Sequence, residues 1–209
     1  VLIELNDDEY TVSAGAMQWT LGNVEIESGV KGVGDLLGKA VKGAVTKEAA
    51  VKPKYKGKGI LTLEPTYRYI LLEDVGTWEG GMVLDDGMFL ACESRVEQNV
   101  VARSNISSAV FGGEGLFNLK LSGQGIAALE CYVPREELVE ITLENDVLKV
   151  DGSFAIAWSD SLDFTVERAG KSLIGSAASG EGLVNVYRGT GRVLLAPLEE
   201  RPMSVPEIT

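Results

Sequence analysis

The feature that most restricts the fold of this chain is a glycine-rich motif that occurs twice. Residues 113–119 read Gly-Glu-Gly-Leu-Phe-Asn-Leu, and residues 180–186 read Gly-Glu-Gly-Leu-Val-Asn-Val. After the first motif, Phe117, Leu119 and Leu121 alternate with polar residues, which is the period of two of a half-buried strand. A second Gly-x-Gly follows each motif, and paired glycines permit the positive φ angles of tight turns. The residues predicted to form structural turns are Gly113, Gly115, Gly123, Gly125, Gly180, Gly182, Gly189 and Gly191.

Further markers indicate that part of the chain is duplicated. Segments 84–91 and 148–156 resemble each other, and their glycines Gly87 and Gly152 are 65 residues apart, close to the 67-residue shift between the two motifs. Two different markers with nearly the same shift favour a repeated unit. We therefore predict a single domain over residues 1–209, with copies at about 57–110 and 111–197 and a proline-rich tail at 198–209.

Short alternating segments recur along most of the chain and predict an all-β fold, a sandwich or a rolled double sheet. Asp86-Gly87 and Asp151-Gly152 each stand between apolar segments, a pattern typical of hairpin turns. Beyond the strands on either side of residues 123–125, we predict strands near residues 10–14, 24–27, 67–72, 96–101, 138–143, 162–166 and 192–196.

Residues 32–46 depart from this pattern and predict one short helix. Apolar residues recur there at steps of three and four, with lysines on the other faces. The predicted interaction surface consists of Leu36, Leu37, Lys39, Ala40, Val41 and Lys42. Three interpretations stay open: the helix packs on its own core, it contacts another subunit or partner, or it lies weakly on an anionic membrane surface.

The chain contains no histidine, which excludes many kinds of catalytic and metal site. Imidazole–carboxylate metal sites, Ser-His-Asp triads and Cys-His pairs cannot be built without it. The two cysteines lack the spacing of a structural zinc site. Adjacent acids such as Asp85-Asp86 and Glu136-Glu137 are best interpreted as solvated turn residues, which leaves a carboxylate-only hydrolase as a minor alternative. We expect no catalytic residues, no metal and no cofactor.

Charge and cysteine content restrict the partners and the compartment. The formal net charge is -12, which repels nucleic acid. No apolar run reaches the roughly 20 residues needed to span a bilayer, and the first residues do not resemble a signal peptide. Cys92 and Cys131 lie in apolar strand-like segments and are predicted to be buried free thiols of a reducing compartment. These observations favour a cytoplasmic protein, with peripheral membrane contact through the helix as an added option.

The glycine motifs resemble those of a known family. The segments 111–117 (Phe-Gly-Gly-Glu-Gly-Leu-Phe) and 121–125 (Leu-Ser-Gly-Gln-Gly), with earlier elements in the same order, are similar to the altered-inheritance-of-mitochondria protein 24 family from about Tyr10 to Pro197. The resemblance implies a fold like that of the tryptophan RNA-binding attenuation protein, a short double-stranded β-helix duplicated in one chain. It also implies compact homo-oligomers, and it supplies no catalytic residues.

The function that these observations favour is that of a non-catalytic oligomeric scaffold or interaction protein. The alternative is a binding module for a small molecule or for single-stranded RNA, which rests on fold analogy. The acidic charge disfavours the RNA half of that alternative.

Overall fold

The structure is a computed structural model that describes residues 1–28, 52–102, 117–168 and 183–198. These residues form thirteen strands and two short 3-10 turns, so the predicted all-β class is confirmed. The predicted helix at 32–46 lies outside the described residues. The strands are β1 Leu2–Val12, β2 Met17–Glu27, β3 Lys54–Leu63, β4 Tyr69–Asp74, β5 Met82–Leu84, β6 Phe89–Glu93, β7 Val96–Ala102, β8 Phe117–Gly123, β9 Ile126–Cys131, β10 Val139–Asp151, β11 Ala155–Ser159, β12 Asp163–Arg168 and β13 Leu183–Leu195, and the 3-10 turns are Val75–Thr77 and Arg135–Glu137.

The strands form two antiparallel sheets. The first sheet has the order β2-β3-β1-β6-β9-β4. The second has the order β10-β13-β11-β5-β8-β7, and β12 pairs with β13 beside it. Most neighbouring strands in a sheet are distant in sequence, because the chain crosses repeatedly from one sheet to the other.

The main core lies between the two sheets. Leu71 and Leu129 of the first sheet pack in one cluster with Met82, Leu121 and Ile156 of the second, and all five are almost fully buried. Two smaller clusters flank it. One lies beside β1 and β3, and the other contains the stacked rings of Trp158 and Phe164. The alternation in the sequence accounts for much of this arrangement, because a strand of alternating residues turns one apolar face inward.

Three Gly-x-Gly segments mark bends in the strands at regular spacing. They begin at Gly57, Gly123 and Gly189, at steps of 66 residues. In β3 and β13 the bend lies opposite a bulge of the neighbouring strand, where Asp7 of β1 and Asn145 of β10 both have positive φ. Bulges of this kind sharpen the local twist, so the long strands curl around the core. The division into copies at 57–110 and 111–197 stays a prediction.

The predicted hairpins are wrong in their partners. The turn at Asp86-Gly87 joins β5 of the second sheet to β6 of the first, and β13 separates β10 from β11 on either side of Asp151-Gly152. Residues 123–125 likewise connect β8 of the second sheet to β9 of the first. The physical reason is burial: β6 is apolar and buried on both faces, so it needs a central position between β1 and β9.

The prediction that residues 189–191 form a turn also needs correction. Gly189 and Gly191 lie inside the continuous strand β13. At this point β13 changes its partner from β12 to β11 while its ladder with β10 continues through a bulge. The glycines therefore allow a bend in one strand and not a reversal of the chain.

Candidate functional site

The predicted site residues fall partly outside the described part of the chain. Leu36, Leu37, Lys39, Ala40, Val41 and Lys42 of the predicted interaction surface lie there, as do Gly113, Gly115, Gly180 and Gly182. Of the remaining turn residues, Gly123 and Gly125 have φ angles of 95° and 142° and form the turn between β8 and β9.

The predicted acidic pairs do not converge on a cleft. Asp85 and Asp86 are half-buried at the turn between β5 and β6, and Glu136 and Glu137 are exposed in the 3-10 turn before β10. Within the described residues, no group of three or more acids or cysteines is arranged to hold a metal ion. Cys92 and Cys131 are buried thiols that form no disulfide, as predicted.

Strand β2 forms an exposed end of the first sheet. In the described part of the chain its one strand partner is β3, with which it pairs from Met17 to Glu27. All eleven of its residues are exposed or half-buried. Trp19 is 44% exposed and Leu21 is 62% exposed, which is unusual for large apolar side chains placed two residues apart.

The apolar character of β2 continues onto the neighbouring strands. Thr62 of β3 lies between Leu2 and Trp19, and Ile60 lies between Glu4 and Leu21. Residues directly opposite each other in a sheet share a face, so Leu2, Ile60, Trp19 and Leu21 form one outward-facing apolar patch. Leu2 is also exposed, so the patch extends from β2 across β3 to β1 and is open to contact.

The other half of β2 is charged and already neutralised by β3. The Lys56 ammonium forms an ion pair with Glu27 and lies 3.9 Å from a Glu25 carboxylate oxygen. The hydrogen bond and the charge of Lys56 lower the pKa of Glu27, and Glu27 in turn raises the pKa of Lys56. Residues 17–23 carry no charge at all, so the edge divides into an uncharged half and a paired half.

Unlike the strands at other sheet ends, β2 lacks protection against pairing. Sheet edges are commonly blunted by lysine, proline, bulges or shortness. Strand β10 contains Lys149 and a bulge, β4 has six residues and ends in Glu73-Asp74, and β7 has seven residues. The eleven residues of β2 contain neither lysine nor proline, and its one register irregularity is near Met17.

A cleft opens where β1 separates from the centre of the first sheet. β1 pairs with β6 over Tyr10–Val12 only, and toward its beginning the two strands diverge. The gap has a volume of about 340 Å³ and is bounded by the start of β1, by β6 and β9, and by Leu72 of β4. Ile3 and Ala128 form part of its walls and are nearly buried in the smaller core cluster beside β1.

Carboxylates surround the polar part of this cleft. Glu4 and Glu93 both line it, and a Glu93 carboxylate oxygen accepts the backbone N–H of Ile126 at 3.0 Å. Burial and the nearby charges of Glu93 and Asp8 raise the pKa of Tyr10, so this hydroxyl stays neutral. Burial also raises the pKa of Cys92 to about 12, so its thiol is not a thiolate nucleophile near neutral pH.

Sequence reasoning missed both surfaces. Trp78 and Trp158 are buried whereas Trp19 is exposed, and the sequence did not distinguish the three. A usable signal was present in the uncharged run 17–23, whose alternation marks a strand and whose lack of charge marks an unprotected one. The cleft had no local signal, since its walls come from four strands that are distant in sequence.

Comparisons with known proteins agree with the sequence resemblance. The model of the family described as Mitochondrial biogenesis AIM24 matches residues 1–198. The chain is 30% identical over 193 residues to the protein M6_Spy0233 of Streptococcus pyogenes serotype M6, covering 88% of this chain and 75% of the relative. The crystal structure of SPYM3_0169 from Streptococcus pyogenes superimposes with a TM-score of 0.69 at 25% identity, covering 95% of this chain and 88% of that one. The closer likeness to the tryptophan RNA-binding attenuation protein fold stays a prediction. The chain thus belongs to the Mitochondrial biogenesis AIM24 family, the altered-inheritance-of-mitochondria protein 24 family that its glycine motifs indicated.

Proposed function

We propose that this chain is a non-catalytic scaffold or interaction protein that self-associates through the edge of β2. The observation that carries the proposal is the uncharged, unprotected half of that strand, with Trp19 and Leu21 exposed on one face. An edge strand presents unpaired backbone N–H and C=O groups, and a second copy of the same strand satisfies them in a closed twofold arrangement. Such pairing forms main-chain hydrogen bonds between the two copies and also buries the exposed apolar side chains of β2.

The sequence of β2 suits antiparallel pairing with itself. If the twofold axis passes at Thr20, Trp19 of one copy lies opposite Leu21 of the other, and Met17 lies opposite Asn23. Aromatic–aliphatic cross-strand pairs stabilise sheets by roughly 0.2–1 kcal/mol each. Glu25 and Glu27 lie beyond this register and remain paired with Lys56, so no like charges face each other.

The non-catalytic part of the proposal rests on chemistry. The sequence contains no histidine, and the Cys92 thiol is buried with a raised pKa.

The described residues contain no helix long and apolar enough to cross a bilayer. The cytoplasmic location, and contact of the helix at 32–46 with a membrane or partner, stay predictions.

Size-exclusion chromatography with light scattering tests the proposal. The chain has a mass of 22.3 kDa, and we expect the wild type to elute at twice that mass or a higher multiple at micromolar concentration. The Leu21→Lys variant places a charge beside the twofold axis and should weaken association about tenfold or more. Val147→Lys is the matched control, because Val147 is 49% exposed on an edge strand of the other sheet. A monomeric wild type, or equal masses for all three proteins, would contradict the proposal.

A binding module for a small molecule is the second candidate function, and the cleft beside β1 is the observation that favours it. Its volume of about 340 Å³ lies at the lower end of the range of roughly 300–1,000 Å³ typical of small-molecule sites. Binding in the cleft and pairing of β2 are compatible, since the cleft lies on the side of β1 that faces away from β3 and β2.

A further inference from the structure

The chemistry of the cleft beside β1 narrows the class of ligand that fits it. The strand β1 has β3 on one side along its length, while on the other side it pairs with β6 over Tyr10–Val12 only. The opening, called the wedge below, therefore begins where the β1–β6 pairing ends at Tyr10 and follows β1 toward Val1. A cleft that follows a strand accommodates a linear molecule lying along that strand.

The walls of the wedge are mainly apolar. Leu2 and Ile3 come from β1, Leu72 comes from β4, and Ile126 and Ala128 come from β9. Leu72 is 69% exposed and Ile126 is also exposed, so an apolar ligand placed here would remove large side chains from water. The walls thus favour an unbranched hydrocarbon segment.

The charged side chains that line the wedge are acidic. Glu4 and Glu93 line it, and no lysine or arginine is among the residues that form its walls in the described part of the chain. Glu93 is held in place by the Ile126 N–H, and its nearest cation, the Arg95 guanidinium, is 3.8 Å away on a side chain that is 76% exposed. Water screens so exposed a charge, so the negative potential at the wedge is only partly offset.

We propose that this cleft binds linear amphiphilic amines. The hydrocarbon chain lies against Ile3, Leu72 and Ile126, and the ammonium group lies beside the Glu93 carboxylate, with Glu4 adding negative charge to the same cleft. Fatty acids of the same length are excluded, because their carboxylate would face two like charges in a half-enclosed site. The site lies across β1 from the β2 edge, and Leu2 is the one residue that the cleft shares with the apolar patch, so binding does not require self-association.

Three ligands of equal chain length test the charge requirement: octylammonium, octanol and octanoate. Isothermal titration calorimetry with the full chain should show octylammonium binding about tenfold or more tightly than octanoate, with octanol between them. Resonances of Ile126 and Ala128 should shift in NMR spectra on addition of octylammonium. Equal affinity for octylammonium and octanoate, or no binding of octylammonium at millimolar concentration, would overturn the proposal.

Variants locate the binding and separate it from self-association. The double variant Glu4→Gln and Glu93→Gln removes both charges, and the glutamine at 93 retains an oxygen that accepts the Ile126 N–H. It should lose the preference for octylammonium over octanol, whereas Glu97→Gln on β7 of the other sheet should keep it. Leu21→Ser, which weakens the apolar patch without adding a charge on the row shared with Glu4, should bind octylammonium as the wild type does. A preference that survives the double variant places the ammonium elsewhere and contradicts the assignment.

Discussion

At the scale of single residues, close backbone contact explains some glycines and turn geometry explains others. Gly57 in β3 has a φ of 122°, and a Cβ there would lie 2.2 Å from the Asn23 carbonyl oxygen of β2. Gly87 has a φ of 79°, but a Cβ there would meet no atom within 4 Å. Both need the left-handed region, and only Gly57 also needs the absence of a side chain.

Alanine substitutions at these two glycines should therefore differ in stability. Gly87→Ala should lower the free energy of unfolding by about 1 kcal/mol, the cost of a strained φ. Gly57→Ala should lower it by about 3 kcal/mol or more, because the strand pair must also separate. Urea denaturation measures both values. Equal losses of unfolding free energy for the two variants would show that Asn23 of β2 does not lie so close to Gly57 of β3.

Cys92 gives the stability of the fold a defined dependence on pH. Burial raises the pKa of its thiol from 9.0 to about 12, so above pH 9 the unfolded state releases a proton that the folded state keeps. The free energy of unfolding should then fall as the pH rises from about 9 to 12, by up to about 1.4 kcal/mol per pH unit. Tyr10 and Tyr55, whose pKa values are also raised, add to the fall above pH 10.

The Cys92→Ala variant isolates the thiol contribution. Denaturation at several pH values should show a shallower decline in the variant between pH 9 and 10, where the tyrosines contribute little. Parallel curves for the variant and the wild type would mean that the Cys92 thiol ionises in the folded state as it does in the unfolded chain.

At the scale of strands, local patterns predicted positions better than partners. The strands predicted near 96–101 and 162–166 appear as β7 and β12, since alternation over a few residues is enough to mark an extended segment. The partner of a strand depends on distant residues. The turn at Asp86-Gly87 predicts that β6 pairs with β5 in a hairpin. Phe89–Cys92 are instead buried on both faces, and that burial depends on the whole sheet.

The asparagine repeated in the two glycine motifs has a structural role that the sequence left unexplained. The Asn118 side-chain amide donates to the Leu84 carbonyl oxygen at 2.8 Å, and the Asn185 amide donates to the Gly152 carbonyl oxygen at 2.9 Å. The first bond joins β8 to the last residue of β5, three residues before Gly87, and the second joins β13 to Gly152 in the turn between β10 and β11. Both asparagines therefore tie a strand to a segment at an Asp-Gly turn, but at positions that are not equivalent in the repeat.

Leucine substitutions test these two hydrogen bonds at nearly constant volume. Asn118 is buried, so Asn118→Leu should lower the free energy of unfolding by about 2–3 kcal/mol, the cost of a buried unpaired carbonyl. Asn185 is half-buried and water can reach its partner, so Asn185→Leu should cost about 1 kcal/mol. The ratio of the two losses in urea denaturation is the readout. A larger loss of unfolding free energy for Asn185→Leu than for Asn118→Leu would show that Asn118 is not the more buried of the two side chains.

At the scale of the whole molecule, strand order creates the candidate interaction site. The alternation of Met17, Trp19 and Leu21 with polar residues looks like that of a strand with one face in the core. In the structure β2 lies at the end of its sheet, beyond the main core, and both of its faces meet solvent. The uncharged run 17–23 marks β2 as unprotected, but its place at the end of the sheet follows from where the other five strands lie.

Amide hydrogen exchange along β2 tests the central claim most directly. Every second N–H of an edge strand points away from its one neighbour and exchanges freely unless a further strand pairs with it. At a concentration where the protein is assembled, we expect protection of all measurable amides from Met17 to Asn23, and loss of protection at alternate positions in Leu21→Lys. Alternate amides that exchange as fast in the wild type as in the variant would contradict self-pairing through β2.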